Sequence, residues 1–158
     1  MNSNQKHIAV IGGGASGLMA AGTATLYGAD VTIFEHTGRL GKKLAITGKG
    51  RCNVTNQCTL EEFLQNVPTN PRFLYAPLNA FTMEDTISHF ENLGVPLKVE
   101  RGRRVFPESD KAIDVVNAMK EYASGAKIVF EKVISIKKTS DSTFLVSTSN
   151  KEYLFDRF

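Results

Sequence analysis

Residues Lys6 to Gly17 read KHIAVIGGGASG, and this stretch, taken with Glu35 eighteen residues further on, decides the fold. Ile8, Ala9, Val10 and Ile11 form a short apolar run that stops at glycine. That is the pattern of a buried parallel strand turning directly into a helix. The glycines fall as Gly12-x-Gly14-x-x-Gly17, the spacing of the dinucleotide fingerprint. Gly12 makes the tight turn, Gly14 lets backbone approach a pyrophosphate, and Gly17 lets the helix pack close to the strand. The next segment, about 15–27, is rich in Ala, Gly and Thr and reads as a helix able to lie close on a sheet. It opens at Ala15 and Ser16, so its free N–H groups and positive dipole end would face ligand phosphates. Asp30 to Glu35, DVTIFE, reads as a second strand with an acid at its carboxyl end. Glu35, with the adjoining His36, is the candidate for the ribose, and a carboxylate there disfavours a 2′-phosphorylated adenosine.

A GxGxxG on its own is a weak signal. Here strand, turn, small-residue helix, second strand and terminal acid follow in order, which is the context the motif requires. The competing reading is a glycine-rich turn with no ligand.

At 158 residues the chain suits one domain with a substantial core. Apolar content of 42% and charged content of 22% are those of an ordinary globular sequence. Net charge is 19 − 16 = +3, too small to argue nucleic-acid binding from composition. Between Thr37 and Gln57, however, stand Arg39, Lys42, Lys43, Lys49 and Arg51 with no acid. A second basic cluster, Lys98, Arg101, Arg103 and Arg104, has only Glu100 among it. Cys52 and Cys58 give no disulfide framework, so the expected compartment is the cytoplasm. The glycines at 12–14 interrupt any signal-peptide core, and no stretch is long and apolar enough to span a membrane.

After Glu35 the chain runs TGRLGKKLAITGKGRCNVTN instead of entering another amphipathic helix. Gly38, Gly41, Gly48 and Gly50 punctuate basic and small polar residues, exposing N–H groups and cations that suit an anionic ligand. The spacing is not that of a P-loop, and a solvated basic loop is the alternative. Thr59-Leu-Glu-Glu and Thr82-Met-Glu-Asp predict capped helices, the second ending at Gly94 with Ile87, Phe90 and Leu93 on its apolar face. His89 is expected to be a surface or half-buried helix residue. A helix around Pro77, over 72–80, is also expected. Segments 97–100 and 103–106 read as a hairpin around Gly102, and 111–123 as a helix with Ile113, Val116, Ala118 and Met119 inward. A strand over 126–130 and three antiparallel strands over 133–138, 143–148 and 153–158 follow. The predicted architecture is α/β: a Rossmann-like parallel sheet carrying a three-stranded antiparallel meander.

Taken together, GKKLAITGKGRCNVTN and GVPLKVERGRRVFPESDKA resemble the BaiN/RdsA-like flavoproteins, FAD-dependent oxidoreductases also described as aminoacetone-oxidase-family FAD-binding enzymes. The resemblance runs from Ile8 to the last residue. It implies a glutathione-reductase-type FAD/NAD(P)-binding domain in which the fingerprint and Glu35 hold the AMP half of FAD. Gly41, Lys42 and Lys43 would run along the diphosphate, Arg51, Cys52 and Asn53 would lie towards the flavin, and the backbone of Val133 would meet the adenine. Lys49 stands where many members carry glycine. Members of the family are longer, so residues 1–158 are expected to be a truncated, N-terminal part, with a helical and hairpin insertion over 58–107. The substrate domain and the return segment that completes the flavin pocket are expected to be absent. The isolated chain is then expected to bind FAD weakly and to lack turnover.

The function this implies is hydride transfer between a nicotinamide, NADH or NADPH, or a substrate, and FAD. No catalytic acid or base stands out and no metal is expected. The substrate would be a small molecule or uridine of ribosomal RNA. An NAD-only or non-catalytic nucleotide-binding module is the alternative that the β-α-β unit alone would equally support. RNA contact through Lys98 to Arg104 competes with a solvated hairpin, and a redox pair of Cys52 and Cys58 with two ordinary thiols.

Overall fold

The computed structural model describes residues 5–158. In chain order the first elements are β1 (His7–Ile11), α1 (Ala15–Leu26), β2 (Asp30–Phe34) and a kinked 3-10 segment (Leu44–Gly50). They are followed by β3 (Thr55–Asn56), α2 (Leu60–Gln65), a 3-10 turn (Pro71–Leu74), α3 (Tyr75–Ala80) and α4 (Met83–Asn92). Then come β4 (Leu97–Glu100), β5 (Arg104–Pro107), α5 (Ala112–Tyr122), β6 (Lys127–Val129), β7 (Val133–Lys138), β8 (Phe144–Thr148) and β9 (Glu152–Phe155). The chain forms two compact units, one of the residues up to Leu44 with Met119–Phe158, the other of Ala45–Ala118.

In the first unit β1, β2 and β6 form a parallel sheet in that order, with Ala9 opposite Thr32 and Ile33 opposite Ile128. β2 holds the centre, and Val31, Ile33 and Phe34 are buried as a doubly covered strand requires. β1 was expected to be equally buried, but only Ala9 is, and Ile11 is 45% exposed. The reason is position: β1 flanks the central strand. Its outer edge takes up the residues after β9, where Ala9 N–H donates to the Arg157 carbonyl at 3.0 Å and Asp156 N–H to the His7 carbonyl at 2.8 Å.

The expected meander is present as β7-β8-β9, antiparallel throughout, with a register irregularity between Val133 and Ser135. It packs on the parallel sheet through Val146 and Phe155, which cluster with Ala9 and Phe34. The Phe34 ring meets Tyr153 edge-on at 5.0 Å and Phe155 at 5.8 Å. Truncating such a buried aromatic costs about 3–5 kcal/mol, so this cluster is a principal fastening of the unit. Within the same unit α1 meets Tyr122, the last residue of α5, closely. A Cβ on Gly22 would lie 2.2 Å from the Tyr122 ring, and Thr23 Oγ1 is 3.0 Å from the Tyr122 hydroxyl.

In the second unit β4 and β5 form the expected hairpin, and the unforeseen β3 adds to it in the order β3-β5-β4. Both predicted capping boxes form: Thr59 Oγ1 accepts from Glu62 N–H, and Thr82 Oγ1 from Asp85 N–H. α4 lies against β3 and β4, burying Met83 and Phe90, while His89 is half-buried beside the rings of Phe81 and Phe90. Burial lowers the pKa of His89. The helix expected over 72–80 divides into the 3-10 turn and α3.

α5 needs one correction of phase. Ile113, expected inward, is 46% exposed, and the buried set is Ala112, Val115, Val116, Ala118, Met119 and Ala123. Ala112, Val115, Val116, Met119 and Ala123 follow an i, i+3, i+4, i+7, i+11 stripe, with Ala118 beside it, which leaves Ile113 facing solvent.

Candidate nucleotide-binding site

The fingerprint sits between β1 and α1. Gly12 has φ +101°, a backbone state that L side chains rarely adopt, and its N–H donates to the Phe34 carbonyl at 2.8 Å. A Cβ on Gly17 would lie 1.9 Å from the Gly12 carbonyl oxygen, so the helix can start here only because that residue is glycine. Gly14 differs. It is the N-cap of α1 at φ −84°, ψ −168°, and a Cβ there would meet nothing within 4 Å. The space in front of it is open, as close approach of a ligand backbone requires. Ala15 and Ser16 are exposed, and α1 has neither a capping side chain nor an acid in its first turn. The positive helix end is therefore left for an external anion.

Glu35 follows β2 and is buried at 7% exposure. Its Oε2 accepts the Gly13 N–H at 2.8 Å and its Oε1 the Thr37 N–H at 2.6 Å, while His36 Nδ1 stands 3.6 Å from Oε1. Burial by itself would raise its pKa, but the hydrogen bonds from Thr37 and Gly13, with His36 alongside, hold it below the usual carboxylate value. A carboxylate has about four acceptor positions, so accepting from Gly13 and Thr37 does not exhaust its capacity for a ligand hydroxyl.

The basic loop is tied to the same turn. Gly41 N–H donates to the Gly13 carbonyl at 2.8 Å, and buried Leu40 fills the place of a Gly13 side chain, since a Cβ there would be 2.2 Å from Leu40 Cδ2. Lys42 and Lys43 come next and are exposed. The fingerprint, Glu35 and the Gly41-Lys42-Lys43 segment are thus one hydrogen-bonded assembly. Val133 belongs to the same unit, half-buried at the start of β7 against the Phe34 cluster. The open glycine cradle, the exposed helix end and the buried ionised acid fit a dinucleotide such as FAD.

Arg51, Cys52 and Asn53 lie in the second unit, and their side chains are engaged there. Arg51 pairs with Glu100 and Asp110 and stacks on Phe106, 4.2 Å from the ring centroid. Its pKa is raised by those hydrogen bonds, from Glu100 first and then Asp110. Cys52 is buried, and burial pushes its thiol pKa up, the opposite of what an attacking redox cysteine needs. Both cysteines are free. With its amide oriented to donate, Asn53 Nδ2 reaches the carbonyls of Val105 and Thr55 at 3.2 and 3.0 Å. Of these partners Glu100, Asp110, Phe106 and Val105 are distant in sequence and carry no local signal. The basic hairpin is likewise neutralised in part: Arg103 makes a two-armed pair with Glu62 at 2.7 and 3.0 Å, and Lys98 Nζ is 2.7 Å from Asp110 Oδ2. Among the described residues no cluster of His, Cys, Asp and Glu could hold a metal ion, and no helix is long and apolar enough to cross a membrane.

A parallel β-α-β unit with this glycine turn and acid, backed by an antiparallel meander, defines a Rossmann-like domain of the FAD-binding type. The chain belongs to the HI0933-like protein Rossmann-domain family, whose sequence pattern matches residues 6–157; this is the BaiN/RdsA family of FAD-binding oxidoreductases. It is 30% identical over 154 residues to the 3-dehydro-bile acid delta(4,6)-reductase of Clostridium scindens, covering 95% of this chain and 37% of that protein. It is also 30% identical over 129 residues to the ribosomal RNA dihydrouridine synthase of Haemophilus influenzae, covering 80% of this chain and 31% of that one. The chain therefore spans about a third of the length of these relatives. In fold it resembles the 3-ketosteroid-delta4-(5alpha)-dehydrogenase of Rhodococcus jostii, with a TM-score of 0.63 at 14% identity over 98% of this chain and 45% of that chain.

Proposed function

We propose that this chain is the FAD-binding part of a flavin-dependent oxidoreductase that moves a hydride between a reduced nicotinamide, NADH or NADPH, or an organic substrate, and FAD. One observation carries the reading. The acid after β2, the glycine turn and the basic loop are joined through Gly13, with links of 2.8 Å to Glu35 and to Gly41. In this reading the N–H groups at Gly14, Ala15 and Ser16 take the diphosphate, with Gly12 and Gly17 setting the turn. Glu35, bordered by His36, accepts from the ribose hydroxyls. Gly41, Lys42 and Lys43 extend along the diphosphate, and the Val133 backbone meets the adenine. Arg51, Cys52 and Asn53 are assigned to the flavin end through their backbone, because their side chains are committed elsewhere. The bound flavin supplies the hydride-accepting and hydride-donating chemistry; the chain supplies position and electrostatics.

The relatives' names bring two substrate classes, a bile-acid-type small molecule and ribosomal RNA. We favour the small molecule, because Lys98 and Arg103 of the basic hairpin already have carboxylate partners. The two free cysteines fit the cytoplasm. Titration of the chain with FAD and with NAD, followed by flavin fluorescence and by calorimetry, tests the proposal. FAD is expected to bind and to outcompete NAD. Binding of NAD with none of FAD would transfer the site to the NAD-only alternative.

A further inference from the structure

The loop before β3 is a conformational oddity. Gly48, Lys49, Gly50 and Cys52 have φ of 57°, 59°, 84° and 60°, so two of its four left-handed residues carry side chains. Left-handed backbone costs roughly 1–2 kcal/mol for each L residue, and it persists only where the surroundings fix it. Within the loop the Arg51 N–H donates to Gly48 at 3.3 Å and the Cys52 N–H to Thr47 at 3.0 Å.

Asn53 Nδ2, Val54 N–H and the buried Cys52 fasten the end of the loop next to β5, and the hold on its middle comes through the Arg51 side chain. Its Nε donates to Asp110 Oδ1 at 2.8 Å, a terminal nitrogen donates to Glu100 Oε1, and the guanidinium lies over the Phe106 ring. Lys98 Nζ closes the figure, 2.7 Å from Asp110 Oδ2 and 3.9 Å from Glu100 Oε1. Two cations and two carboxylates form a ring that joins the loop, β4 and the turn after β5, all within the second unit. Isolated exposed ion pairs contribute little, but a forked, stacked guanidinium inside a closed network is the geometry in which they contribute. Asp110 is itself left-handed, at φ +57°, and so turns its carboxylate towards both cations from a constrained backbone.

We infer that Glu100 and Asp110 are positioning residues that lock the 47–53 loop through Arg51. For its functional consequence the inference rests on the proposed reading, which gives this loop to the flavin end of FAD. Carboxylates 49 and 59 residues away from Arg51 in sequence then set the cofactor's surroundings without touching it.

Hydrogen–deuterium exchange at the Arg51 and Cys52 amides tests this in the whole chain. The Glu100→Gln/Asp110→Asn double variant is expected to exchange there roughly fivefold faster or more, with β1 and β2 amides unchanged as the control for folding. Asp110→Glu, which keeps the charge, should recover most of the protection that Asp110→Asn loses. Arg51→Lys, which keeps charge but not the fork, should resemble Asp110→Asn. FAD added to the same proteins should bind a few-fold more weakly to the double variant, with a shifted flavin absorption band. Unchanged exchange at both amides in the double variant and in Arg51→Lys would overturn the inference. Faster exchange in proteins that bind no FAD would leave the loop lock standing and remove the FAD reading instead.

Discussion

Gly14→Val separates the fold from the ligand. The Gly14 backbone, at φ −84° and ψ −168°, is extended and open to any residue, and the added Cβ meets nothing within 4 Å. Valine is a poor N-cap, which costs about 1 kcal/mol, while replacing glycine restricts the unfolded chain and returns about 0.4–1 kcal/mol. Stability should therefore stay within about 1 kcal/mol of the parent. The valine methyls, however, would stand where a diphosphate has to approach. Loss of two charge-assisted hydrogen bonds, at about 1.5–3 kcal/mol each, would weaken FAD by at least about a hundredfold. Urea denaturation and a flavin fluorescence titration, run side by side, measure the two quantities. Gly17→Ala is the reverse case: its Cβ would fall 1.9 Å from the Gly12 carbonyl oxygen, so it should lose the fold along with the ligand. A Gly14→Val protein with parental stability and FAD affinity within threefold of the parent would refute the cradle.

Three further outcomes are expected. Glu35→Ala removes the acceptor for two backbone N–H groups, Gly13 and Thr37, so it should cost about 2–4 kcal/mol of stability as well as weaken FAD more than FMN; equal loss of both flavins would take Glu35 out of the ribose site. Glu62 has a pKa lowered from 4.5 to about 2, chiefly by Arg103. Its contribution is therefore fully present above about 4.5 and is lost as pH falls towards 2, so Glu62→Gln should flatten the acid limb of a stability–pH curve in that window and leave neutral pH dependence unchanged. Lys49→Gly relieves a lysine held at φ +59° and should stabilise the protein by about 0.5–1 kcal/mol net of the glycine's entropy cost, measured by urea denaturation; destabilisation would mean that the lysine side chain makes a contact worth more than the strain.

What the sequence disclosed followed the range of its signals. The fingerprint, α1, β2 and Glu35 are read from a continuous stretch whose periodicity and glycine spacing are local, and both capping boxes are four-residue patterns. The Gly41–Gly13 link joins residues 28 positions apart through backbone atoms alone, so no side chain announces it. Arg51 shows the same limit more sharply. Its surroundings read as unrelieved positive charge along the loop, whereas its partners arrive from β4 and from the turn after β5. Ile113 faces solvent although the sequence pattern allows it inward, because the apolar residues of α5 permit more than one helical phase and only packing selects between them. β1 is less buried than its apolar run suggests, because such a run records suitability for a sheet interior and the strand's neighbours decide how much of it is covered.

The internal pairing of the β4-β5 hairpin bears on how it would meet a polyanion. Binding to nucleic acid gains much of its free energy when cations on the protein release counterions condensed on the phosphates. Lys98 and Arg103 already carry their counterions as covalent parts of the chain, Asp110 and Glu62. Those carboxylates cannot diffuse away, so a phosphate must displace or tolerate them, and each such cation adds less than its formal charge to the slope of log K against log salt. Positive charge counted along this sequence therefore exceeds the charge that a polyanion at this hairpin would encounter.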